Sequence, residues 1–243
     1  MGKLATLTTF IKVLNQINKY NKSTKKQVMK CRSEGDLEGE REIIRENTGI
    51  YISNIANICH VDVDVEGAEN IPEDGPVVIF ANHQGYADVL GLYLAIRKFQ
   101  FGFVGKQEFK KIKAMDVAFN LTRSVFLHRG DARAALETIK TTTELLTDGF
   151  SLCVFPEGTR SRGPVPGEFK DGAFKFAQKA KVPVLPVTIN DSYKMFEVDD
   201  SFHPCTVKVK IHPVVHIEDM SRGEQKEAWG DIVTTITSSI RES

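Results

Sequence analysis

Residues 77–88 read Val77-Val78-Ile79-Phe80-Ala81-Asn82-His83-Gln84-Gly85-Tyr86-Ala87-Asp88. The opening four are a short apolar run, rich in β-branched side chains, as in a strand buried on both faces. The residues after it differ in kind, with an imidazole, two amides, a glycine and an acid close together. In an open α/β sheet, the edge just past the carboxyl ends of the strands is where ligands bind. The same succession recurs three times. Gly105-Lys106 follows the run 101–104, His128-Arg129-Gly130-Asp131 follows 125–127, and Pro156-Glu157-Gly158-Thr159-Arg160 follows 152–155. Four such coincidences point to one shared edge rather than to four unrelated solvated loops.

Helical patterns separate these runs. Residues 131–147 place Ala135, Leu136, Ile139 and Leu146 at helical spacing, and a further helix is expected over 172–180 before a strand at 184–189. Upstream, Val61, Val63 and Val65 alternate with Asp62 and Asp64, as in a half-exposed strand, and a turn follows at 70–76. The valine-rich stretch 206–217 reads as one or two edge strands, and 222–240 as a closing helix. Strand and helix in alternation predict an α/β fold with a mixed, largely parallel central sheet flanked by helices.

The first 59 residues are of another character. Leu4, Leu7, Ile11, Leu14 and Ile17 recur at helical spacing over 4–20, and Ile43, Ile44, Tyr51, Ile55 and Ile58 form a second such pattern within 38–59. The polar, glycine-containing stretch 32–39 separates the two. Of the chain's 32 basic residues, eight fall in residues 1–32, which contain no acid; the rest carries 24 basic against 32 acidic residues. A net charge of zero hides this asymmetry, which is a partner signal. Two arrangements fit: helices packed on the core, or a first helix lying in a membrane interface with its lysines toward anionic headgroups. No compact apolar leader with a small-residue cleavage site is visible, so no signal peptide is expected. No run approaches the ~18 apolar residues of a spanning helix. Four scattered cysteines without CxxC pairing argue against a disulfide framework or a zinc knuckle.

The edge residues suggest chemistry. His83 and Asp88 are five apart, which on a regular helix separates them by about 140°. They can meet only if His83 lies in the loop and Asp88 in the first turns of the helix, a bend that Gly85 eases. Asp88 then accepts from Nδ1, leaving Nε2 as a base; the alternative is a helix cap beside a dipole-stabilising acid. Residues 155–162 form a donor-rich loop in which Arg160 and Arg162 suit an anion, with Lys106 and Arg129 converging from neighbouring strand ends; ordinary surface ion pairs are the alternative. Asp131 suits a helix N-cap and His128 a structural place. There is no GxSxG elbow, P-loop or HExxH, and Cys153 lies inside an apolar strand.

These blocks resemble those of the glycerolipid acyltransferase family. Residues 82–88 match its His-x4-Asp block, 125–131 resemble the second block with Arg129 as the matching arginine, 155–160 match Phe-Pro-Glu-Gly-Thr-Arg, and 182–187 resemble the apolar, proline-containing fourth block. His128 stands where the family often has an acidic or other polar residue. The resemblance covers about residues 60–190. It implies transfer of a fatty acyl group from acyl-CoA or acyl-carrier protein to the sn-2 hydroxyl of 1-acyl-glycerol 3-phosphate, giving phosphatidic acid; glycerol 3-phosphate or another lysolipid is the alternative acceptor, and a non-catalytic lipid-binding protein or a thioester hydrolase is the more distant reading. It further implies His83 and Asp88 as catalytic residues, with Lys106, Arg129, Glu157, Gly158, Thr159 and Arg160 around the glycerol phosphate. Glu157 is expected to orient a neighbouring Arg, a Lys or the acceptor hydroxyl, and backbone donors near Gly158 to face the oxyanion. No metal, cofactor or nucleic acid is implied. Residues 1–59 resemble a two-helix membrane-docking element preceding an acyltransferase domain over 60–243, which implies a monotopic place on the cytoplasmic face of the cell membrane.

Overall fold

The computed structural model describes residues 3–127 and 132–240. Two long helices, α1 (Lys3–Glu34) and α2 (Leu37–Cys59), lead into β1 (Val61–Glu66). There follow β2 (Val78–Ala81), α3 (Ala87–Ala95), β3 (Phe101–Lys106), α4 (Lys113–Leu121), β4 (Val125–Leu127), α5 (Ala132–Thr147) and β5 (Ser151–Val154). The chain closes with α6 (Lys175–Ala180), β6 (Val184–Asn190), β7 (Cys205–Ile211) and α7 (Arg222–Ser238). The seven strands form one sheet in the order β1-β7-β6-β2-β5-β3-β4. Every pairing is parallel except β6 with β7. The carboxyl ends of β2 to β6 therefore share one edge, as expected of a largely parallel α/β sheet.

Burial explains why the central strands read as unbroken apolar runs. In β2, Val78 and Phe80 join a core with Leu146, Phe150, Phe174 and Ile232, while Ile79 and Ala81 join a second core with Leu90, Leu92 and Phe101. Successive side chains thus enter opposite cores, and both must be apolar.

Three local expectations change. The stretch 206–217 is not an edge: β7 lies between β1 and β6, and β1 takes the edge. Val207, Val209 and Ile211 are buried while Lys208 and Lys210 stay half-exposed and pair with Asp191 and Glu66. Such alternation reports one covered and one open face; it is silent on whether the strand has one neighbour or two. On α5, Leu136 is exposed, whereas Leu146 is buried as expected, and Thr138, Thr142 and Leu145 join it on the buried face. The first helix runs to Glu34, well past 20. Its second half packs through Tyr20, Thr24, Val28 and Cys31, whereas Leu4, Leu7, Ile11 and Leu14 on its first half stay exposed.

The break between the helices is at Gly35 and Asp36, where Asp36 Oδ1 accepts from Gly39 N–H at 2.9 Å and caps α2. A buried charge then locks the pair to the sheet. Glu40, fully buried, accepts from Arg32 Nε at 2.8 Å and from Arg123 Nε and Nη2 at 2.8 and 2.7 Å. Arg32 also donates to the Asn120 carbonyl at the end of α4. Glu40→Ala would strip the counter-charge from two partly buried guanidinium groups. We expect a loss of about 3 kcal/mol in denaturant unfolding; a change under about 0.5 kcal/mol would show that the ion pairs do not hold the helices in place.

Candidate active site

His83 lies just past the end of β2 in the five-residue loop 82–86 before α3, and Asp88 is the second residue of that helix. The turn brings His83 Nδ1 to 2.5 Å from Asp88 Oδ2. Asp88 is fully buried and has two further donors: the Gly85 N–H to Oδ2 at 3.0 Å, and the Ser192 hydroxyl to Oδ1. A carboxylate only accepts, so Nδ1 carries the proton and the lone pair sits on Nε2. Among the described residues Nε2 has no hydrogen-bond partner. The ring is part-exposed and stacks on Phe155 with centroids 4.0 Å apart and planes at 10°. An imidazole held this way can take a proton at Nε2 while the carboxylate stabilises the resulting charge.

The platform beneath it is backbone-built. Asn82 clamps β2 to β6, its Oδ1 accepting from Ile189 N–H at 2.7 Å and its Nδ2 donating to Ile189 O at 2.8 Å. The loop after β5 pairs with the loop after β2: Ser161 N–H donates to His83 O at 2.7 Å and Arg162 N–H to Gln84 O at 3.1 Å. Glu157, 4% exposed, accepts from His83 N–H and Gly167 N–H, both at 2.6 Å. Burial pushes its carboxyl above the ordinary value, and the two N–H groups oppose that rise. Its protein partners are thus backbone amides rather than an Arg or a Lys, and in the structure it fixes the His83 backbone. Gly158 adopts a φ of 68°, open to glycine at little cost. Its N–H closes a turn onto Phe155 O at 2.9 Å.

Cationic groups lie around this platform. Lys106 Nζ, at the end of β3, is 3.4 Å from Thr159 Oγ1. Arg160 Nη1 donates to Glu197 Oε1 at 2.7 Å, and its guanidinium lies 3.7 Å from the centroid of the Tyr86 ring. Arg162 is only loosely paired with Asp200, at 3.7 Å on the surface. Arg129 lies outside the described residues, as do His128 and Asp131. Cys153 is fully buried in β5, and burial pushes its thiol well up, so it belongs to the core. Among the described residues no group of three or more His, Cys, Asp or Glu could hold a metal ion.

Two residues of this constellation went unread in the sequence, Ser192 and Glu197. Both follow β6, and the edge argument applied to β2 to β5 would have reached the turn after β6 as well. Nothing in an isolated serine or glutamate marked it. Their contacts bridge 104 residues to Asp88 and 37 to Arg160, distances that only the strand order closes.

Fold and edge together define a class: an α/β protein with a histidine–carboxylate pair at the carboxyl ends of largely parallel strands. A family model described as Acyltransferase matches residues 62–190, more than half of the chain, and the chain belongs to that family. Among curated relatives it is 36% identical over 157 residues to the chloroplastic 1-acyl-sn-glycerol-3-phosphate acyltransferase LPAT1 of Arabidopsis thaliana, covering 63% of this chain and 44% of that one. It is 27% identical over 170 residues to the 1-acyl-sn-glycerol-3-phosphate acyltransferase of Borreliella burgdorferi, covering 70% and 68%. The match spans under half the length of the plant and algal relatives. The crystal structure of the 1-acyl-sn-glycerophosphate (LPA) acyltransferase PlsC from Thermotoga maritima superposes with a TM-score of 0.79 at 24% identity, covering 98% of this chain and 94% of that one. This likeness extends the shared fold to the two N-terminal helices.

Ser192 offers a test of how Asp88 is held. Ser192→Ala removes the donor to Oδ1 inside a fully buried site. Stability should fall by about 1–3 kcal/mol, read by denaturant unfolding. An unchanged midpoint would mean that the hydroxyl is dispensable to the buried carboxylate.

Proposed function

We propose that this chain transfers a fatty acyl group from an acyl thioester to the sn-2 hydroxyl of 1-acyl-glycerol 3-phosphate, giving phosphatidic acid. The observation that carries the reading is the buried Asp88 carboxylate on His83 Nδ1, with Nε2 left toward solvent. The names of the relatives supply the substrate class.

In this mechanism Nε2 takes the proton of the acceptor hydroxyl as its oxygen attacks the thioester carbonyl. A C–O bond forms, the tetrahedral adduct collapses, the C–S bond breaks, and the thiolate leaves with the proton from the imidazolium. No acyl-enzyme forms. General-base catalysis of this kind contributes roughly 10²–10⁴-fold. Lys106, Thr159, Arg160 and Arg129 are the groups we assign to the glycerol phosphate. Glu157 and Gly158 act at one remove, shaping the loop that carries Thr159 and Arg160. Acyl-CoA and acyl-carrier protein both fit as donor.

We place α1 in the membrane interface, with residues 1–59 as the docking element and 60–243 as the acyltransferase domain. The support is the exposed row Leu4, Leu7, Ile11 and Leu14 beside Lys12 and Lys19. Each such apolar side chain contributes roughly 1.5–3 kcal/mol when fully buried, and each lysine about 1 kcal/mol near an anionic surface. No helix of the described residues is long and apolar enough to cross a membrane, so a docked enzyme reaches the lipid acceptor from one face.

The test is turnover of an acyl thioester by purified protein with lysophosphatidic acid, glycerol 3-phosphate or no acceptor. We expect phosphatidic acid with the first, and no thiol release without an acceptor. His83→Ala should stay folded and lose activity by at least two orders of magnitude, and Asp88→Asn should be similarly severe. Thiol release without acceptor, or near-normal turnover by His83→Ala, contradicts the mechanism.

Docking is tested separately. Leu7→Asp with Ile11→Asp should abolish co-sedimentation with anionic liposomes. High salt should release the wild type only partly, because screening weakens the lysine contribution and leaves the apolar one. Equal sedimentation of the double variant would remove α1 from the interface.

A further inference from the structure

Glu197 belongs to no motif of the sequence. It follows the short 3₁₀ turn Ser192–Met195, and its side chain is fully buried. Its Oε1 accepts from Arg160 Nη1 at 2.7 Å and from Tyr86 N–H at 3.0 Å. Its Oε2 has no hydrogen-bond partner among the described residues. The carboxylate is therefore matched by one cation, Arg160, which is itself only part-exposed. Burial pushes the Glu197 carboxyl upward, against the Tyr86 N–H and Arg160.

The surroundings are built to keep Glu197 in place. A Cβ at Gly85 would stand 2.5 Å from Glu197 Oε2, so the glycine between His83 and Asp88 leaves room for this carboxylate. The neighbouring Phe196 packs against Tyr86, Phe202 and Phe10 with centroids 5.8, 5.1 and 5.4 Å apart. On its other side Arg160 rests on the Tyr86 ring at 3.7 Å. The guanidinium is thus held edge-on by a carboxylate and face-on by an aromatic ring. It has five N–H donors, of which the ion pair takes one.

We infer that Glu197 and Tyr86 form a clamp that pre-orients Arg160 for the phosphate of the acceptor, with Glu197 as its positioning residue. This rests on the proposed role of Arg160 as a phosphate-binding group. An unpinned arginine has many rotamers, and ordering it on binding weakens affinity; a pinned one has its entropy loss built into the fold. Arginine's planar fork then meets phosphate oxygens with its remaining donors. The same short segment holds Asp88 through Ser192, so residues 192–197 set both the base and the anion site.

The experiment compares Glu197→Gln, Tyr86→Leu, Arg160→Met and the double variant Glu197→Gln/Arg160→Met. Each is assayed for kcat and KM with lysophosphatidic acid and with a lysolipid lacking the phosphate monoester, after thermal unfolding has confirmed a folded chain. Glu197→Gln should raise KM for lysophosphatidic acid roughly tenfold or more, with much smaller changes in kcat and with the other acceptor. The double variant should match Arg160→Met, because Glu197 acts through Arg160. Tyr86, exposed, can be changed even if Glu197→Gln does not fold, and Tyr86→Leu should raise the same KM selectively. Equal effects on both acceptors, additive effects in the double variant, or an unchanged KM in Tyr86→Leu would overturn the clamp. If Arg160→Met itself leaves KM for lysophosphatidic acid unchanged, the assignment of Arg160 to the phosphate fails, and the clamp with it.

Discussion

A carboxylate with no exposure to solvent needs donors from the protein, and Asp88 is such a group. It finds them in three places: the His83 ring at the end of β2, the Gly85 N–H before α3, and the Ser192 hydroxyl after β6. Satisfying that one side chain obliges β2, α3 and β6 to meet at a single edge. The sheet order places β6 beside β2, and the Asn82 clamp onto Ile189 fixes the distance between them. The helix start at Ala87 serves the same end, because it puts Asp88 beneath the loop that carries His83. The rest of the site is arranged about this pair.

The second carboxylate, Glu157, works on backbone rather than on a cation. Its two bonds to His83 N–H and Gly167 N–H hold the loop after β5 against the loop after β2. A third, Glu197, takes Arg160. Three buried acids thus have three different partners: a ring, a pair of amides and a guanidinium. Each fixes one piece of the edge, and the proposed chemistry draws on all of them: the base on the first, the loop shape on the second, the anion site on the third. Glu40 does the same for the N-terminal helices, joining α1 and α2 to the end of α4 through two arginines.

Much of this was legible in the sequence, for physical reasons that also mark where legibility ends. The central strands read correctly because both faces are buried, so every residue is apolar. The contact between His83 and Asp88 was legible because they are five apart, and local geometry alone forces a loop-then-helix arrangement if they are to meet. The contacts of Glu157 within the protein were not legible, since its residue type does not tell whether its oxygens face an amide or a cation. Ser192 and Glu197 were not legible, because their partners lie across the sheet. The interior place of β7 was missed for a related reason: alternation reports faces, whereas strand order is a tertiary property. The second half of α1 was missed because its buried stripe includes Thr24, which does not register as apolar.

The proposed mechanism needs buried Asp88 to hold the proton of His83 on Nδ1 and to leave Nε2 as the base. Nitrogen-15 NMR of the histidine side chains tests it most directly, with the His83 resonances assigned by their loss in His83→Ala. We expect a strongly downfield proton on His83 Nδ1 and none on Nε2, and loss of that downfield proton in Asp88→Asn. A wild-type ring protonated on Nε2 instead, or a pattern unmoved by Asp88→Asn, would contradict it.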